Sequence, residues 1–81
     1  MRIVRFPSKE QIAALQERYP SGTKVELLGM DDQQAPPTGT MGEILGIDDA
    51  GQLLVRWETG SSLSLIPGVD SFRIAEKGGR S

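Results

Sequence analysis

Eighty-one residues, 37% of them hydrophobic and 25% charged, make one small globular domain and exclude a disordered chain. A chain this short buries only about 60–65% of the surface its unfolded form exposes, so it depends on good packing or on a partner. With no cysteine and no histidine, it offers neither disulfides nor thiolate metal sites, and it lacks the commonest general base.

The net charge of −2 is unevenly spread. Residues 1–24 hold five basic residues against two acidic ones, a net +3, and residues 25–81 hold four basic against nine acidic, a net −5. The two parts balance each other within a fold, or the first presents a cationic face to nucleic acid or an acidic partner. No apolar run approaches the ~18–20 residues that cross a bilayer. The start Met1–Phe6 is basic without an apolar stretch, so no secretory leader is expected and a cytoplasmic location is.

In chain order, residues 1–7 read as an N-terminal arm in which Met1–Phe6 adds a short edge strand. A helix follows over residues 8–19. Ser8 is the expected N-cap and Gln11 completes a capping box; Ile12, Leu15 and Tyr19 recur on one stripe beside Ala13 and Ala14, and Pro20-Ser21-Gly22 ends the helix. Too short to persist alone, the helix must lie across the rest of the domain.

Residues 23–75 carry a two-residue alternation that predicts five short strands. Thr23–Met30 turns Val25 and Leu27 inward. A polar loop, Asp31–Gly39, carries Pro36 and Pro37 and cannot join a ladder. In the second strand, Thr40–Ile47, Gly42 and Gly46 mark sharp curvature or close backbone approach. Asp48-Asp49-Ala50-Gly51 turns the chain with Gly51 at positive φ. Leu53, Val55 and Trp57 line the third strand, Thr59-Gly60 supplies a two-residue hairpin turn, and Leu63 and Leu65 mark a fourth. Ile66–Asp70 reads as one tight or 3₁₀ turn before a fifth strand bearing Phe72 and Ile74. Residues 76–81 read as a polar, flexible tail. The expected architecture is mainly β, a five-stranded SH3-like barrel with one helix packed on it. Its core is Val25, Leu27, Ile44, Ile47, Leu53, Val55, Trp57, Leu63, Leu65, Phe72 and Ile74, joined by Ile12 and Leu15.

Three sets of residues carry a family resemblance: Phe6–Glu10 through Tyr19–Thr23, Met30-Asp31-Asp32 with Gln34–Pro37, and Gly60–Leu63 with Leu65–Asp70. On these the chain resembles the domain-of-unknown-function family numbered 4314, found in bacteria, their phages and mobile elements. The resemblance covers roughly residues 6–75, implies a bacterial or phage cytoplasmic setting, and supplies no activity. Gly39-Thr40 with Gly42 and Ile44, followed by Val55, Trp57 and Gly60, is also similar to other SH3-like modules such as KOW domains.

Several residues admit a site reading. Trp57 offers a stacking platform, but it shares a face with Leu53 and Val55, where burial contributes roughly 2–3 kcal/mol, so it is assigned to the core. The pairs Asp31-Asp32 and Asp48-Asp49 lack the spacing of a calcium loop and sit at turn starts, where Asp side chains bond the following backbone, so no metal is expected. Ser61, Ser62 and Ser64 have no base beside them, and no phosphate-binding glycine loop is present, so neither catalysis nor a cofactor is expected.

Two surfaces remain. Leu28, Met30, Met41, Leu45, Leu54 and Ile66 fall on outward or strand-end positions and, with the loop residues Asp31, Asp32, Gln33 and Gln34, form a candidate surface for docking another protein or a second copy. Arg2, Arg5, Lys9, Arg18 and Arg56 are the candidate nucleic-acid contacts of the alternative reading.

Overall fold

The computed structural model describes residues 7–78. One helix, α1 (Lys9–Arg18), precedes four strands, β1 (Lys24–Gly29), β2 (Met41–Ile47), β3 (Leu53–Trp57) and β4 (Ser71–Glu76). The strands form one antiparallel open sheet in the order β3-β2-β1-β4. The arm strand expected at Met1–Phe6 lies outside the described residues.

The helix starts as its sequence demands. Gln11 N–H donates to Ser8 Oγ at 3.1 Å and Ser8 N–H donates to Gln11 Oε1 at 2.8 Å, which satisfies two donors that a helix start otherwise orphans. Tyr19 caps the other end, its N–H donating to Leu15 O at 2.8 Å, before Pro20 forbids a further turn.

The core sits on one face of the sheet. Val25, Leu27, Ile44, Leu53, Val55, Trp57 and Leu65 are all at most 2% exposed, and Ile47, Leu63 and Phe72 are half-buried against them. Trp57 is buried as expected, and its indole N–H donates to Leu63 O at 2.9 Å, so burial strands no polar atom. Gly42 lies opposite Trp57, and a Cβ there would come within 2.6 Å of both Trp57 Cε3 and Val55 Cγ1. Gly46 marks a bulge in the β2–β3 register, with Leu45 as the extra residue.

Five expectations need correction, four of them about strands, core and ends. The sheet has four strands, not five: around Leu63 and Leu65 the chain makes only the single bridge Leu53–Leu65. Ile74 is 38% exposed although it pairs with buried Val25, because β4 is an edge strand that pairs only with β1. Ile12 and Leu15 are half-buried and the helix contributes no buried residue; among the strands it approaches only β2. Glu76 belongs to the sheet and not to a tail: it is the last residue of β4, and Gly78 N–H donates to Thr23 Oγ1 at 3.0 Å.

The Thr59-Gly60 turn also differs from expectation. Trp57 N–H donates to Ser61 O and Gly60 N–H to Trp57 O, both at 2.9 Å, so three residues make the turn, with Gly60 at φ 93°. The β2–β3 turn repeats the device: Asp48 N–H donates to Gln52 O and Gly51 N–H to Asp48 O, both at 3.0 Å, with Gly51 at φ 81°. A type I turn closed by a left-handed glycine is the usual three-residue hairpin.

Candidate functional site

The outer face of the sheet is a charge ladder. Strand register sets Arg56, Glu43, Lys24 and Glu76 directly opposite one another across β3, β2, β1 and β4, so signs alternate over the whole width. Arg56 reaches Glu43 at 3.5 Å, and in the adjoining row Arg73 reaches Glu26 at 2.6 Å. Directly opposed unlike charges stabilise a sheet modestly and leave its surface near neutral.

That ladder engages one of the candidate nucleic-acid contacts, Arg56. Lys9 and Arg18 stand nine positions apart on α1, which at about 100° per residue places them on opposite faces. Arg2 and Arg5 lie outside the described residues. No basic stripe is assembled among the described residues.

The outward apolar residues are brought together only in part. Leu45 and Leu54 are exposed, at 47% and 39%, beside the β2 bulge. Leu28, 45% exposed, sits at the far end of β1; continuing the β1–β2 register puts it six positions from the level of Leu45, about 20 Å along the strand. Met30 is half-buried and packs on the core, and Met41 is half-buried in β2. In the Asp31–Gly39 loop, Asp31, Asp32, Gln33 and Gln34 are exposed, while Pro36 is buried and anchors the loop.

The acidic pairs organise turns. Asp32 Oδ1 accepts from Gln34 N–H at 2.7 Å, and Asp48 Oδ1 accepts from Ala50 and Gln52 N–H at 3.0 and 2.9 Å. Among the described residues no group of three or more His, Cys, Asp or Glu side chains is placed to hold a metal, and no helix is long and apolar enough to cross a membrane.

The site that sequence reading missed lies beside α1. A groove of about 770 Å³ runs between the helix face Gln11, Ala14, Leu15 and Arg18 on one side and Gly51, Ile66 and Pro67 on the other. Pro7 and Leu15 reach toward the β2–β3 turn, coming within 3.2 and 3.5 Å of where a Gly51 Cβ would stand. The helix therefore rests on that turn at one edge and turns Ala14 and Leu15 to the groove, while Ile12 and Ala13 line a separate hollow with Pro7 and Asp49. The one forewarning in sequence was Ile66, whose neighbours Pro67 and Gly68 pull it out of any strand.

Fold and site together define a small antiparallel sheet domain with an outlying helix and a largely apolar surface groove. The chain belongs to the family described as a domain of unknown function, DUF4314, whose model matches residues 8–75. No curated protein and no solved structure matches it.

Proposed function

We propose that this protein is a non-enzymatic docking module that offers the groove beside α1 to another protein in a bacterial or phage cytoplasm. The observation that carries this reading is that α1 has an apolar stripe yet buries none of its residues. A helix of ten residues gains most of its stability from packing, and here the fold uses only part of the face available. Ile66, 40% exposed on the facing wall, extends the apolar surface. The architecture is read as SH3-like in plan: β4, β1, β2 and β3 lie edge to edge, and the Leu65 bridge stands where a further strand would close a barrel.

Affinity capture with three forms of the protein tests the proposal. Wild type and Leu54→Asp, whose change lies at the separate β2–β3 patch, should retain the same partner, and Ile66→Asp should lose it with its circular dichroism unchanged. Retention by Ile66→Asp, or loss by Leu54→Asp, would contradict the assignment of the surface.

A further inference from the structure

We propose that the groove beside α1 continues into a second groove over β4, and that the two form one channel for an extended peptide in which apolar residues flank a carboxylate. Arg18 is the residue that reads the acid. The inference rests on the docking role proposed above and names the chemistry of its partner.

The second groove, about 550 Å³, is floored by Tyr19, Leu28, Phe72 and Ile74, and it shares two residues with the first, Arg18 and Pro67. Both are shallow and open to solvent, which suits a segment lying along the surface more than an enclosed small molecule. The second groove exists because α1 approaches β2 and not β4, which leaves Ile74 and the edge of Phe72 uncovered on the core side of the sheet. Tyr19 props it open, its ring tilted on Phe72 with centroids 5.6 Å apart.

Arg18 stands at the joint. It occupies the last turn of α1, where the helix dipole favours a cation, so the fold places positive charge there without needing a carboxylate. Among the described residues the ion pairs are Arg56–Glu43 and Arg73–Glu26, and Arg18 belongs to neither. Its guanidinium lies 5.8 Å from the Tyr19 ring centroid, held by an aromatic face. Asp70, the acid lining the second groove, spends a carboxylate oxygen on Ile66 N–H at 2.8 Å. Arg18, in neither of those ion pairs, sits between the largely apolar groove beside α1 and the Tyr19, Phe72 and Ile74 side chains of the second, a setting complementary to one acid between apolar side chains. Because Arg18 is exposed, the acid adds discrimination of a few fold rather than most of the affinity.

The test uses a short fluorescent peptide with leucines flanking a central glutamate, and its glutamine twin, in anisotropy titrations at low salt. The glutamate peptide should bind roughly threefold to fivefold tighter than the twin. Arg18→Gln should erase that difference while leaving affinity for the twin unchanged, and Ile66→Asp should weaken both. Equal affinities on wild type would overturn recognition of the acid and leave the docking role standing. Binding of neither peptide up to about 1 mM would overturn the channel, with the capture experiment deciding the docking role separately. A concentration-dependent dimer abolished by Ile66→Asp would show that a second copy fills the channel and overturn the peptide as occupant.

Discussion

Gly42 is the residue on which the core is most exacting. Any Cβ there would press on the Trp57 ring and Val55 from 2.6 Å, and both are nearly fully buried. Ring and backbone cannot both yield, so Gly42→Ala should cost about 1–3 kcal/mol, read as a lower urea midpoint with an unchanged slope. Thr23, fully buried, is the polar counterpart: its hydroxyl donates to Pro20 O at 2.6 Å and accepts from Gly78 N–H. Thr23→Val keeps the shape but removes both bonds, and should lower stability by about 1–3 kcal/mol. A loss below a few tenths of a kcal/mol in the same titration would mean that water replaces the hydroxyl at no cost.

Among the elements, strands and helix were legible in the sequence to different depths. The capping box at Ser8 and Gln11 was readable because its bonds span three residues, and the inward row Leu53, Val55, Trp57 because alternation is a local signal. Leu65 was readable as buried but not as a lone bridge, since pairing depends on where Leu53 lies. The exposure of Ile74 was hidden for the same reason: alternation places it on the core face, and only the strand order shows that nothing covers that edge. The groove was hidden most completely, because it arises where α1, the β2–β3 turn and Ile66-Pro67 meet from three distant stretches. The charge ladder was likewise invisible until register aligned it. Glu43→Lys would set three cations side by side with Lys24 and Arg56. It should destabilise by about 1 kcal/mol or less, and by less still in 1 M salt, where such interactions are screened. A cost unmoved by salt would assign it to packing instead.

At the scale of the whole molecule, the core lies on one face of the open sheet with Leu65 bridged to its β3 edge, and α1 contributes no buried residue to it. The helix is kept in place by its caps, by Pro7 and Leu15 against the β2–β3 turn, and by its approach to β2. This division of labour leaves Ala14 and Leu15 open to the groove, the face that the proposed docking role uses. On that proposal the binding face belongs to an element with no buried residue, and surfaces that must open or adapt are drawn from the low-stability end of a fold.

Native-state hydrogen exchange reads that division directly. Amides inside α1 should exchange by local opening at least about tenfold faster than those of Val25, Leu27 and Ile44, which should open only with the whole domain. Helix amides protected to the same global limit as those strand residues would show that α1 belongs to the core unit, and would remove the basis for its open face as a docking surface.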